Sequence, residues 1–233
     1  MRTIGILGGM SWESTQSYYQ ALNQGINKAL GGFHSAQIVM ISVDFAEAEI
    51  ETLQQQGDWQ TAGQLLASAS KRIEKAGAEC LLLATNTMHN VAPAIESAIQ
   101  IPFLHIADAT GEKCQRDGVT RVGLIGTRFT MEQAFYKARL KERFGIDVVI
   151  PNEQERAEVH QIIFDELCHG LIHDASRARY LDIITSLHQQ GAQAVILGCT
   201  EIALLVEQHH TQIPLYDTTA LHASKAVEWA LGN

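Results

Sequence analysis

Three short segments of this chain recur in the same order. "IGILGG" from Ile4 is echoed by "VGLIGT" from Val122, "AGAECLLLATNT" from Ala76 by "QGAQAVILGCTE" from Gln190, and "IPFLHIAD" from Ile101 by "IPLYDTTA" from Ile213, at offsets of 118, 114 and 112 residues. Three echoes in register at nearly constant spacing predict two similar halves related by a pseudo-two-fold axis. The recurring runs are leucine-rich or β-branched, and longer amphipathic stretches separate them. This is the pattern of strands joined by crossover helices, and hence of a mostly parallel sheet. The expected fold class is α/β: two similar lobes with mostly parallel sheets flanked by helices and the active site between them. The N-terminal lobe is expected over 1–112, completed by the C-terminal segment 213–233, and the C-terminal lobe over 113–212. With four prolines and no Gly/Ser-rich linker, the chain has no independently tethered domain.

The strand candidates are 3–7, 38–43, 80–84, 103–105, 122–125, 147–150, 194–198 and 215–216. Helical patterns are expected at 14–30, 61–76, 91–98, 131–144, 156–168, 175–190, 202–209 and 224–231.

The overlay pairs Thr85 with Cys199. Each lies just past a buried strand, where open parallel sheets place their ligands and the next helix begins. If the halves face one another, the two residues look across one cleft. Unpaired N–H groups at helix starts suit a small carboxylate there, with Asn86, Thr87, Thr127, Thr130 and Thr200 adding side-chain hydrogen bonds. A thiol of ordinary pKa about 8.5 is acidified at a helix N-terminus, which would make Cys199 a base or a nucleophile. The alternative is a small buried hydrophobe, as most free cysteines are. That plainer reading suits Cys80, Cys114 and Cys168, whose spacing fits neither CxxC nor a zinc ribbon.

Composition narrows the partners. A formal net charge of −9 disfavours nucleic acid, whose binding rests on clustered Lys and Arg. No run reaches the roughly eighteen apolar residues of a membrane span, and the N-terminus carries no cleavage-site pattern. A cytoplasmic protein that binds neither membrane nor nucleic acid is expected. "ILGGMSWEST" lacks the P-loop lysine and does not fit GxGxxG. In "ELCHGLIHD", Cys168 and His169 sit too close for easy joint metal ligation, and Gly170 reads as a helix end. His89 is open between a rim hydrogen bond and a solvent-facing cap, and Trp12 between packing and closing over a substrate or a second subunit.

The motifs "TNT" (Thr85 to Thr87) and "GCTE" (Gly198 to Glu201), with "LGGMS" near the N-terminus, resemble the cofactor-independent aspartate/glutamate racemase family over nearly the whole chain. The resemblance implies a homodimer of two-lobed subunits acting on a small amino acid, with no pyridoxal phosphate, other cofactor or metal. It also implies one acid/base group on each side of the substrate α-carbon. Family members use two cysteines; this chain offers Cys199 and, in place of the first, Thr85, a pairing that resembles a subgroup acting on L-aspartate and L-glutamate. An alcohol is a far weaker acid than a thiol, so the two directions should be unequal. Substrate-binding positions implied are Met10, Ser11, Asn86, Thr87, Thr127, Thr130 and Thr200. The aspartate-specific branch carries an arginine after the second strand and a lysine late in the first helix of the second half. Here "SVDFAEAEIE" has no arginine and Cys168 stands near the lysine's place, leaving Arg128 and helix-terminal amides as substitutes. Two rivals remain: a decarboxylase or cis–trans isomerase of a small dicarboxylate on the same fold, and a binding module without turnover.

Overall fold

The computed structural model of the chain describes residues 1–46 and 50–232. The chain forms two compact units: Met1–Ile106 with the chain from His222 onward, and Ala107–Leu221.

The first unit is built on strands β1 (Ile4–Gly8), β2 (Ile38–Ser42), β3 (Cys80–Leu83) and β4 (Phe103–Leu104). They form one parallel sheet in the order β2-β1-β3-β4. The connecting helices are α1 (Trp12–Leu30), α2 (Ile50–Gln56), α3 (Trp59–Lys75) and α4 (Ala92–Glu96), the last preceded by a 3-10 turn over Thr87–Val91. A strand buried on both faces must be apolar at successive residues, and β1 and β3 are. Ile4, Ile6, Cys80 and Leu82 pack with Tyr18, Leu22 and Ile26 of α1. Leu7, Leu81 and Leu83 pack on the other face with Leu66 and Ile73 of α3.

In the second unit β5 (Arg121–Gly126), β6 (Asp147–Val149), β7 (Ala194–Gly198) and β8 (Leu215–Asp217) form a parallel sheet in the order β6-β5-β7-β8. This repeats the order of the first sheet strand for strand. Its helices are α5 (Ile106–Arg116), α6 (Arg128–Glu132), α7 (Ala134–Phe144), α8 (Glu153–Asp165), α9 (Asp174–Gln189) and α10 (Ile202–Leu205). The last helix, α11 (Thr218–Leu231), contains the second division between units. The segment from 213 therefore divides, with β8 in the second sheet because it pairs with β7, and the chain from His222 in the first unit.

Several expected helices change form. The single helix expected over 131–144 is two, because Gln133 takes an extended ψ of 155° and breaks the hydrogen-bond run. Those expected at 91–98 and 202–209 shrink to single-turn helices beside 3-10 turns. Helices α2 and α5 were not expected.

The loop after β1 depends on Gly9. Its φ is 93°, and a Cβ there would lie 2.0 Å from the Val43 carbonyl oxygen. Gly145 has a similar φ of 71° with open space around it. Gly9→Ala combines strain with a backbone collision and is expected to cost about 3 kcal/mol, or about 6–12 °C in Tm for a chain of this size. Gly145→Ala carries the strain alone, about 1 kcal/mol. Thermal unfolding of the two variants checks the difference, and equal shifts would refute the collision.

Candidate active site

In the first unit the ends of β1 and β3 leave the sheet side by side, since Leu7 pairs with Leu83. They bring Met10 and Ser11 to the same sheet end as Thr85, Asn86 and Thr87. Ser11 caps α1, its Oγ accepting from the Ser14 amide at 3.3 Å. The Met10 side chain is buried in the core, so only its main chain can serve a ligand. Thr85, Asn86 and Thr87 are all buried. The Thr85 amide turns back onto the Leu83 carbonyl at 2.9 Å, which ends the strand at this point. A pocket of about 510 Å³ opens beside Ser11, walled by Gly9, Trp12, Ser42, Asp44 and Phe45 among others.

The second unit gathers Thr127, Thr130, Cys199 and Thr200 in the corresponding place. Gly126 pairs with Gly198, and a Cβ on Gly126 would lie 2.8 Å from the Gly198 carbonyl oxygen, so these two strand ends close together only as glycines. Thr127 caps α6, its Oγ accepting from the Thr130 amide at 3.3 Å and lying 3.2 Å from the Thr130 hydroxyl. Cys199 is half-buried. Its Sγ–H donates to Glu201 Oε2 at 3.0 Å, and the Thr200 hydroxyl donates to the same oxygen at 2.5 Å.

This geometry corrects the expectation of an acidified thiol. Removal from water and then the adjacent Glu201 carboxylate push the Cys199 thiol well above its ordinary range, because each disfavours a second negative charge. The helix that was to supply a positive dipole end, α10, has only four residues. The Cys199 thiol thus faces the Glu201 side chain at 3.0 Å with its ionisation disfavoured. Glu201, itself buried, is a candidate functional residue to which reading the sequence assigned no role. Its signal was present in "GCTE": an acid two residues beyond a thiol at a strand end.

Other positions resolve plainly. The Arg128 guanidinium is exposed and pairs with Glu132 at 3.0 Å, across one turn of α6. Cys80 and Cys114 are buried thiols pushed up to about 12 by burial. Gly170 closes the 3-10 turn Leu167–His169 in the left-handed conformation. His89 is buried rather than solvent-facing, whereas Trp12 is 64% exposed.

Residues 7–226 match the Asp/Glu/hydantoin racemase family. The chain belongs to that family. A Yersinia pestis crystal structure, described as that of a candidate Asp/Glu racemase, is 51% identical, with a TM-score of 0.93 over 99% of this chain and 100% of that one. An aspartate racemase homologue from Pyrococcus horikoshii is 32% identical over 99% of this chain and 100% of its own, with a TM-score of 0.87. The broad specificity amino-acid racemase of Bacillus subtilis is 23% identical over 96% of each chain. The fold of two four-stranded parallel sheets flanked by helices matches those solved structures. Among the described residues no helix is long and apolar enough to cross a membrane.

Proposed function

We propose that the protein racemises an acidic amino acid, aspartate or glutamate, by proton exchange at the α-carbon without pyridoxal phosphate. Cys199 and Thr85 act on opposite faces of the substrate. The observation that carries this reading is the Cys199–Glu201 pair, standing at the strand end that repeats the one bearing Thr85.

Glu201 takes the thiol proton: the Sγ–H bond breaks and an Oε2–H bond forms. The thiolate then removes the α-proton and becomes a thiol again, leaving a carbanion whose charge spreads into the α-carboxylate. Main-chain amides around Met10, Ser11, Asn86, Thr87, Thr127 and Thr200, with the Thr130 hydroxyl, receive that charge. The carbanion takes a proton from the Thr85 side to complete inversion; solvent then returns a proton to that side and takes one from Glu201, which restores the starting state. In the other direction Cys199, protonated at neutral pH, is ready to donate. Thr85 is the weaker acid, so the two directions differ in kcat, with KM differing in step. The reaction runs in a cytoplasmic homodimer in this reading.

A second reading, a racemase of broader side-chain specificity, is favoured by the pocket of the first unit. Among the described residues lining it Asp44 is charged and neither Lys nor Arg occurs, which gives an acidic side chain no cation at that wall.

Proton NMR in deuterated buffer without added cofactor tests both. Loss of the α-proton signal from L-aspartate or L-glutamate is expected. Loss only from neutral or basic amino acids would favour the second reading, and silence with all of them would overturn racemisation.

A further inference from the structure

The peptide units flanking Thr85 are held by two side chains that the proposed reaction does not use. Ser14 Oγ donates to the Ala84 carbonyl oxygen at 2.9 Å. His89 Nδ1 lies 2.7 Å from the Thr85 carbonyl oxygen. The other ring nitrogen, Nε2, is 3.2 Å from the Ile106 amide. A carbonyl can only accept and an amide N–H can only donate, so these partners select the neutral imidazole with its proton on Nδ1. The ring is 1% exposed. It thus ties the exit of β3 to the junction of β4 and α5.

The surroundings hold that ring still. His105 lies edge-on to it with ring centroids 4.5 Å apart, and Phe103 and His222 stand at 5.5 and 5.8 Å. His222 is itself anchored, by the Tyr18 hydroxyl at 2.8 Å and the Leu104 carbonyl oxygen at 2.6 Å. A phenylalanine would fill nearly the same volume, so the imidazole adds two directed hydrogen bonds to what packing alone requires. One of those bonds falls on the peptide that carries Thr85.

We propose that His89 is a positioning residue for Thr85: it fixes the rotation of the Thr85–Asn86 peptide and thereby aims the Thr85 hydroxyl at its face of the substrate. The proposal rests on the racemase reading above. It differs from a merely structural role in one measurable way, because misaiming Thr85 harms one face of the α-carbon and spares the Cys199 face.

The test measures deuterium wash-in from each enantiomer of the substrate, with thermal unfolding alongside, for wild type, His89→Phe, His89→Asn and Ser14→Ala. Each enantiomer presents its α-proton to one side, and Cys199→Ala identifies the enantiomer served by the thiol. His89→Phe is expected to slow exchange from the Thr85-side enantiomer about tenfold or more, within the range seen for small misplacements of reacting groups. Exchange from the other enantiomer stays within about twofold. His89→Asn, whose amide nitrogen falls near the place of Nδ1, recovers most of the loss. Ser14→Ala removes the smaller anchor and gives a one-sided loss of about threefold, so the proposal remains testable if His89→Phe does not fold. Equal losses from both enantiomers, or no loss from either, would overturn it. No wash-in by the wild-type protein from any amino acid would overturn the racemase reading and this proposal together.

Discussion

Cys199→Ala is expected to lower kcat/KM for racemisation by about 10²–10⁴, the range that a positioned acid or base contributes. The loss should fall on both directions, since inversion needs a proton removed on one face and delivered on the other. Substrate binding, followed by calorimetry, should stay within about threefold, because the amides assigned to the α-carboxylate are main-chain groups that the substitution does not touch. Cys199→Ser tests the chemistry rather than the space: a hydroxyl fits but is a far weaker acid, and most of the loss should persist. Thr85→Cys is the reciprocal experiment. It installs a thiol on the weak face and should raise kcat in the slower direction relative to the faster, while kcat/KM stays equal in the two directions because enantiomers have equal free energy. Full turnover by Cys199→Ala would remove Cys199 from the reaction.

The repeat made the central strands legible because their apolar runs are buried on both faces. Ile4, Ile6, Leu81, Leu82 and their counterparts in β5 and β7 have no polar side to disguise them. Helix α5 escaped notice for the opposite reason. Its buried positions include Ala107, Thr110, Gly111 and Cys114, small residues with faint hydropathy. Their smallness has a use: a Cβ on Gly111 would lie 2.4 Å from the Phe144 ring, so only glycine lets α7 approach this closely. The start of α11 was missed because it opens with threonines; Asp217 fixes it, its Oδ1 accepting from the amides of Thr219 and Ala220.

Legibility of the site stopped at protonation. Position beyond a strand end singled out Thr85 and Cys199, since chain order alone decides which residues come after a strand. The charge state of Cys199 depends instead on where a side chain two residues later points, and on how much water reaches the sulfur. Neither can be read from "GCTE". His89 shows the same limit. Its spacing from Thr85 allowed a solvent-facing cap, and only the packing of β4 and α11 around the ring decides for burial.

Glu201→Gln separates the two things the carboxylate does to Cys199. The amide keeps the size of the side chain and removes its charge, so the thiol pKa should fall. The fall should be partial, because burial is the larger cause of the elevation and remains in place. Alkylation of Cys199 by iodoacetamide, followed by peptide mass spectrometry across pH, should therefore quicken at each pH below the wild-type midpoint. Were thiolate supply all that limits turnover, the reaction would quicken too. Glutamine, however, cannot take the proton that the thiol must shed before it can act as a base. Turnover at neutral pH is expected to fall by about 10–10² through loss of that acceptor. Faster labelling with slower turnover is thus the signature of Glu201 as the proton partner of Cys199. Turnover that rises in step with labelling would make Glu201 an inhibitor of the thiol's ionisation and nothing more.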